Sequence, residues 1–410
     1  MKKLFSLLHR WLGLVSGLIV MVVCLTGSLY VFRDEVEAVC EPWRRVPVRD
    51  AEMLPPSALL KAAGDASALT LDAAGEAARL DAYTPQGTTT TYADPYTGEV
   101  LKVIRREPGD AGFFAFLLDG HRNLWLPRSI GGPLVSYAVL VFFLALVTGL
   151  VVSWPKRWNR KAVQSHFTFH RPLRAARFRL DLHNVLGFYA TLPLLVLCLT
   201  GLLFGLSWFS GGLYRLVSGG QVMQGYSLPS SDSTNAGADT PSIDLLHARL
   251  KAEEPDAVQF YYALPQTASG VYRVSIVHER GSYYKQDNRF FDRYTLRELQ
   301  GTGPWAGRYT DASPADKMMR MNLDIHEGRI WGIWGKMLMC LASLVGASLP
   351  VTGTSCGGKR DGGKPKGQFC RPCILEAENT WRSLPPPETN KARMMPILTS
   401  ASSALAIPYI

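Results

Sequence analysis

The chain lacks the short motifs that mark several enzyme classes. It has no Gly-rich dinucleotide-binding fingerprint after a predicted strand, no phosphate-binding P-loop and no Cys-x-x-Cys-His motif for covalent haem attachment. Cysteine is sparse as well, because only seven occur in 410 residues and three of these lie inside apolar segments. We therefore expect neither a nucleotide-binding enzyme nor a disulfide-stabilised scaffold.

The hydrophobic residues, 47% of the chain, are concentrated in four blocks, although the mean hydropathy of the whole chain is only +0.03. Each block is about 20 residues long, which is enough to cross the hydrocarbon core of a bilayer as a helix. We predict transmembrane helices at residues 8–32, 133–154, 183–209 and 331–353. The rest of the chain forms substantial soluble loops, as expected for a membrane protein rather than one large globular core.

One membrane-length segment occurs twice. Residues 8–29, LHRWLGLVSGLIVMVVCLTGSL, return at residues 182–203 as LHNVLGFYATLPLLVLCLTGLL. Each copy has a histidine and a Leu-Gly step near its start and Cys-Leu-Thr-Gly near its end, and the other two spans follow this plan more loosely. The sequence therefore predicts an α-helical membrane protein with a four-helix transmembrane bundle built from a duplicated two-helix unit.

The net charge of +10 comes largely from cations beside the ends of the spans. Residues 155–182 hold eight Lys and Arg but a single acid, Asp181. By the positive-inside rule this basic loop and both termini are cytoplasmic, which predicts a multi-pass protein of the bacterial inner membrane. The charge is accounted for in this way, so no nucleic acid is expected as a partner.

Two long loops, residues 33–120 and 210–325, then face the extracytoplasmic side, and each is long enough to form a small domain. In the first, a Thr-rich run at 88–92 and the turn residues that follow predict two strands joined by a turn. In the second, strands are predicted at 257–264, 271–278 and 282–285 after a helix at 243–251, and the Gly- and Ser-rich stretch at 219–242 is predicted to be a flexible linker. We expect two α+β extracytoplasmic domains.

A histidine stands at or before the start of each predicted span, and the topology sorts the four into two levels. His9 and His183 share the cytoplasmic level, whereas His121 and His326 share the extracytoplasmic level. Imidazole is the usual axial ligand of haem iron, and helix bundles build cofactor sites from facing helices. Two bis-histidine sites stacked across the membrane would form a path for electrons. Helical spacing does not fix the rotation of each helix, so the pairing itself is a prediction.

Each span also ends in a Thr-Gly step. The four glycines, Gly27, Gly149, Gly201 and Gly353, are expected at the level of the opposite histidine pair, because 18 residues of helix rise by roughly 27 Å. A residue without a side chain would let a flat macrocycle approach the backbone. The alternative is that the four histidines are interfacial residues or helix caps that bind no metal, but matched positions within a duplicated unit favour haem.

Other residues carry weaker signals. His166 and His170, in the basic loop, are interpreted as extra ligands, a docking surface for an electron donor or, more simply, residues facing lipid headgroups. His247 and His278 have no evident partner. Cys370 and Cys373 form a Cys-x-x-Cys in the tail that could serve zinc or redox chemistry.

Three segments together resemble the PepSY-associated transmembrane helix family of bacterial iron-regulated membrane proteins: LHRWLGL…LTGSLYVFRDE at 8–35, YADPYTGEVL at 92–101 and DLHNVLGF at 181–188. The resemblance covers residues 1 to about 353. It implies PepSY domains in both extracytoplasmic loops and, as in the siderophore-reductase members, two b-type haems in the bundle. By that match His9, His183, His121 and His326 would be the haem ligands. Residues 354–410 depart from the family pattern, since they are polar and rich in Gly and Pro, and we interpret them as a frameshifted or otherwise atypical terminus.

The function expected from these features is a dihaem b electron-transfer protein that reduces an extracytoplasmic ferric siderophore or similar ferric chelate for iron acquisition. Electrons would come from a quinol or a cytoplasmic reductase. The alternative is a non-enzymatic membrane protein whose PepSY domains bind peptides or proteins and regulate an envelope protease. Siderophore transport is a third hypothesis, and it is weaker because Lys336 is the only charge well inside a predicted span.

Overall fold

The computed structural model describes residues 2–64, 66–110, 112–155, 159–169, 175–235 and 242–354. The motif at Cys370 and Cys373, the predicted tail from residue 355 onward and His170 lie outside these ranges. The α-helices, in chain order, are α1 (Lys2–Tyr30), α2 (Arg33–Cys40), α3 (Pro56–Ala63), α4 (Phe113–Asn123), α5 (Arg128–Ser153), α6 (Arg160–Phe167), α7 (Ala175–Asp181), α8 (Gly187–Gly205), α9 (Ser207–Val217), α10 (Ile243–Glu253), α11 (Pro314–His326) and α12 (Gly332–Thr354). The strands are β1 (Ala68–Asp72), β2 (Ala78–Thr84), β3 (Gly87–Ala93), β4 (Val100–Arg106), β5 (Gln259–Ala263), β6 (Val271–Val277), β7 (Asp287–Asp292) and β8 (Glu298–Leu299).

Four helical stretches in the described part of the chain are long and apolar enough to cross a membrane. They comprise Lys2–Tyr30, Arg128–Ser153, Phe178–Gly205 and Arg329–Thr354. Each overlaps a span predicted from the sequence, and the ends differ by one to six residues. The protein is therefore an α-helical membrane protein.

The spanning helices form a bundle in which small residues allow close helix contacts. Helix α1 packs against α5 and α12, and α8 packs against the same two helices. A Cβ on Gly17 would lie 2.9 Å from Cβ of Pro350, so α1 and α12 approach closely at that point. Long aliphatic side chains such as Leu18 and Leu192 point outward, where they are 70% and 73% exposed. Small residues at close contacts are typical of helices that pack together within lipid.

The two long loops combine into one antiparallel sheet of eight strands. The strand order is β4-β3-β2-β1-β5-β6-β7-β8, and the loops meet where β1 pairs with β5, with Leu69 opposite Tyr262. Helices α3 and α10 supply Leu59, Leu246 and Leu250 to the core beside the sheet, and these leucines are fully buried. The sequence predicted two separate domains, but their strands share one sheet because β1 and β5, at the inner edges of the two halves, bond to each other.

Most predicted strands and the predicted helix at 243–251 correspond to β3, β4, β5, β6 and α10. The strand predicted at 282–285 is wrong, because this segment is a turn that precedes β7. Tyr283 and Tyr284 have strand propensity, but the ladder with β6 begins only at Asp287.

The stretch at 219–242 is tethered to the sheet over part of its length. Ser231 N donates to Ser269 O, and Asp232 N donates to the Asp292 carboxylate. Burial raises the pKa of Asp292, but hydrogen bonds from Asp232 and from the backbone N–H groups of Thr295 and Tyr294 outweigh it and hold that pKa below its ordinary value. A flexible linker is therefore the wrong description of residues 231–232.

Two short helices outside the spans carry the second set of histidines. His121 lies on α4 and His326 ends α11, and the chain turns back after each before the spanning helix begins. Leu124 and Trp125 take the left-handed conformation after α4, and Gly328 takes it after α11. The prediction that His121 and His326 stand at the heads of the spans is therefore wrong, because each lies on a separate short helix. Helix α4 packs against α1 and α11 packs against α8, and this packing brings the two histidines to the bundle.

Candidate functional site: two histidine pairs in the bundle

The structure brings the four histidines together as two pairs. The ring centroids of His9 and His183 are 6.0 Å apart with an interplanar angle of 65°. Those of His121 and His326 are 6.1 Å apart with an angle of 63°. We call these the first pair and the second pair. His121 contacts Gly27, which lies 18 residues beyond His9 on α1, so the pairs are separated by roughly 27 Å of helical rise.

In each of these four histidines the Nδ1 atom has a hydrogen-bond partner. His9 Nδ1 is 2.9 Å from Ala145 O, and His121 Nδ1 is 2.8 Å from Val23 O. A carbonyl oxygen can only accept, so Nδ1 carries the proton and donates it. Nε2 then holds the free lone pair that a metal requires.

The second half of the chain repeats this arrangement with a hydroxyl added. His183 Nδ1 lies 3.0 Å from Thr352 Oγ1, and His326 Nδ1 lies 2.7 Å from Thr200 Oγ1. Both hydroxyls donate to carbonyls of their own helices, so they accept from the imidazole. His183 and His326 also hydrogen-bond to the carbonyls of Leu349 and Leu197, respectively.

The four carbonyls occupy one equivalent position, because each belongs to the residue four places before the glycine of a Thr-Gly step. They are those of Val23, Ala145, Leu197 and Leu349, which precede Gly27, Gly149, Gly201 and Gly353. The glycine leaves that carbonyl open to the approaching ring, since a side chain there would project beside it. All four sites therefore share one arrangement, in which the histidine lies beside the carbonyl four residues before the glycine of a Thr-Gly step.

The glycines show how closely the rings approach. A Cβ would lie 2.8 Å from His121 Cε1 at Gly27, 2.8 Å from His9 Cε1 at Gly149 and 3.1 Å from His183 Cε1 at Gly353. At Gly201 the corresponding distance, to His326 Cε1, is 3.7 Å, an ordinary contact. The sequence led us to expect that these glycines would let a haem macrocycle approach the backbone. In the structure the imidazole rings lie against them.

This donor set fits a b-type haem at each pair. One metal ion bonded to two imidazole nitrogens at about 2 Å holds the ring centroids roughly 6 Å apart. Nδ1 is fixed by hydrogen bonds and Nε2 is left to ligate, as in other histidine metal sites. Burial lowers the pKa of His121 and of His326, which lie outside the spanning helices, and this keeps both rings in the neutral form that binds iron. The first pair differs in one respect, because His183 lies in a π-helical turn, Leu182–Leu186.

An apolar layer separates the two pairs. Its buried residues come from all four spanning helices, and Phe142, Leu146, Leu194 and Cys198 are among them. No charged side chain belongs to this cluster in the described part of the bundle.

A network of charges closes the bundle beside the second pair. Lys336 Nζ is 2.7 Å from the Glu35 carboxylate, and Arg329 Nη1 is 2.6 Å from the Asp34 carboxylate. Arg329 also lies over the ring of Tyr283, 4.5 Å from its centroid, and so connects the bundle to the β6–β7 turn. The charge of Lys336, inside the predicted span, is therefore neutralised by Glu35. The sequence alone did not reveal this ion pair, because the two residues are 301 positions apart.

The remaining histidines with described side chains lie in the sheet layer. His247 Nδ1 is 2.7 Å from Tyr262 Oη, and His278 Nε2 is 3.1 Å from Asp287 Oδ2, so both have the partners that the sequence did not reveal. Glu254 brings a carboxylate close to the latter pair, and the three donor atoms lie within 4.8 Å of one another. Arg308 is 3.5 Å from the same Glu254 carboxylate and competes with a cation there.

The comparison with protein families assigns the chain. The family of the PepSY-associated TM region matches residues 6–356, which is most of the sequence. The chain belongs to this family, in agreement with the resemblance seen in its motifs. No curated protein matches the chain.

Proposed function

We propose that this protein is a dihaem b electron-transfer protein of the bacterial inner membrane that reduces an extracytoplasmic ferric siderophore or similar ferric chelate. One observation carries the proposal: two histidine pairs at opposite ends of a membrane bundle have centroid separations of 6.0 and 6.1 Å, and all four Nδ1 atoms are hydrogen-bonded. Interfacial or capping histidines would have no reason to meet in this way.

Each haem, when bound, would supply a one-electron redox centre. The chain supplies two imidazole ligands to each iron, and the carbonyls and hydroxyls behind the rings raise the basicity of those ligands. The apolar layer excludes water and ions between the two centres.

The distribution of charge supports a direction for the electrons. The basic loop 155–182 directly precedes His183 in the sequence, and by the positive-inside rule its eight Lys and Arg support a cytoplasmic position for the first pair. A quinol or a cytoplasmic reductase would deliver electrons there. At the second pair a ferric chelate would take up one electron per iron and become ferrous, with no bond made or broken and no proton required.

The sheet would position the substrate or a partner on the extracytoplasmic side. Its β6–β7 turn reaches the helix of His326, because Tyr283 N donates to the Asp324 carboxylate at 3.0 Å. The sheet is thus in direct contact with α11, the helix that carries His326.

A stopped-flow experiment tests this activity. The purified protein is reduced with dithionite, freed of excess reductant without oxygen and mixed with ferric citrate while the haem spectrum and the ferrous ion formed are followed. We expect one ferrous ion for each haem reoxidised, and loss of the reaction in His121→Ala and His326→Ala. His247→Ala is the matched control, since it removes a half-buried histidine from the sheet layer and leaves both pairs intact.

A reduced protein that is stable against ferric chelates would refute the reductase activity. A purified protein without haem would favour the alternative, a non-enzymatic protein that binds peptides or proteins and regulates an envelope protease.

A further inference from the structure

One arginine beside the second pair has no counter-charge. Arg122 follows His121 in the last turn of α4, and it is half-buried. Its guanidinium makes neither a hydrogen bond nor an ion pair with any part of the chain that the structure describes. Burial, together with the like charge of Arg128, lowers its pKa. The positive charge of Arg122 therefore lacks a neutralising carboxylate among the described residues.

Three other cations at this end of the bundle each have a carboxylate partner. Arg33 contacts the Asp34 carboxylate at 3.1 Å, Arg329 contacts Asp34 at 2.6 Å, and Lys336 contacts Glu35 at 2.7 Å. The contrast is sharpest with the second half of the chain. There the residue that follows the histidine is an acid, Glu327, and it forms an ion pair with Arg329.

The position of Arg122 relates it to the second pair. It directly follows His121 on α4, and α4 packs against α1, whose Gly27 receives the His121 ring. In the described part of the chain no hydrogen bond joins Arg122 to the C-terminal carbonyls of α4, of which Gly120 O accepts from Leu124 N and Asn123 O accepts from Leu126 N. Among the described residues Arg122 therefore has no carboxylate with which to pair.

We propose that Arg122 binds a carboxylate, and that this carboxylate is a propionate of the haem held by His121 and His326. The inference rests on the proposed function and deepens it. A guanidinium matches a carboxylate with two parallel hydrogen bonds, and the group is always charged. Arg128, which is exposed, adds positive potential at the same point.

The test is a potentiometric titration of the detergent-purified full chain, followed at the haem α band, for wild type, Arg122→Gln and Arg122→Lys. Loss of a positive charge beside one haem favours its oxidised form, so one of the two midpoint potentials is expected to fall in Arg122→Gln. Arg122→Lys keeps the positive charge but cannot form the two parallel hydrogen bonds of a guanidinium, and it is expected to lower the midpoint potential by less. The same haem should also pass to apomyoglobin faster in Arg122→Gln than in wild type.

Arg105→Gln is the matched control, because it removes one exposed charge from the edge strand β4. Two haems per chain with potentials in Arg122→Gln equal to those of wild type and of Arg105→Gln would overturn the inference while leaving the proposed function intact. A difference that is absent in detergent and appears only in vesicles with anionic phospholipid would also overturn it, since the partner would then be a headgroup phosphate. A wild-type protein that binds no haem would instead refute the proposed function.

Discussion

Replacing Gly27 with alanine places a methyl carbon 2.8 Å from Cε1 of His121, well inside van der Waals contact. The ring cannot retreat freely, because its Nδ1 is held 2.8 Å from Val23 O on the same helix as the new methyl group. Overpacking of this kind costs about 1–3 kcal/mol. If the cost falls on the ligand geometry, it corresponds to a loss of about 5- to 150-fold in haem affinity.

Gly201→Ala is the control, since it introduces the same methyl group at the equivalent position with 3.7 Å to Cε1 of His326. Both changes raise helix propensity by roughly 1 kcal/mol, so a general effect on the helix is shared. Haem content and the rate of haem transfer to apomyoglobin measure the difference. We expect Gly27→Ala to lose haem from the second pair and Gly201→Ala to retain it. Equal retention in the two variants would refute the assignment of the glycines to ring packing.

Three further changes follow from the same contacts. Thr200→Val removes the hydroxyl that accepts from His326 Nδ1, and a loss of about 10-fold or more in haem affinity is expected at that pair, measured by haem titration of the apoprotein; unchanged affinity would mean that the backbone carbonyl suffices. Glu35→Gln leaves the ammonium of the buried Lys336 with a weaker partner, and the melting temperature in detergent should fall by an amount equivalent to about 1–2 kcal/mol, an effect that Lys336→Met in the same chain should reduce. The folded-state pKa of Asp292 is depressed, so its contribution to stability is present above the unfolded pKa of about 3.9 and is lost as the pH falls through the folded pKa; Asp292→Asn should therefore flatten the acid limb of the melting-temperature profile between pH 2 and 5, and an unaltered profile would contradict this.

The four spans could be predicted because each is a long apolar run in the sequence. The similar segments at residues 8–29 and 182–203 each carry a histidine at the same offset, so those two histidines could be related without knowledge of the fold. The family match over residues 6–356 agrees with the motifs from which the resemblance was inferred.

The contacts between distant segments could not be predicted. The pairing of β1 with β5 joins strands about 190 residues apart, and nothing in either strand specifies its partner. The helices α4 and α11 were not predicted as separate elements, and their histidines were placed at the heads of the spans, because the breaks after these helices depend on left-handed residues, two of which are not glycine. The sequence also did not predict that imidazole rings would pack against glycines of the Thr-Gly steps. Spacing gave their level in the membrane but not which group would occupy the space.

We propose that each histidine pair holds one haem, which can be tested by haem stoichiometry together with oxidised and dithionite-reduced spectra of wild type, His9→Ala and His326→Ala. We expect two b-type haems per chain in wild type and one in each variant, with the remaining haem still reducible. A wild-type protein that lacks haem after haem-replete expression, or variants that keep both haems, would contradict it.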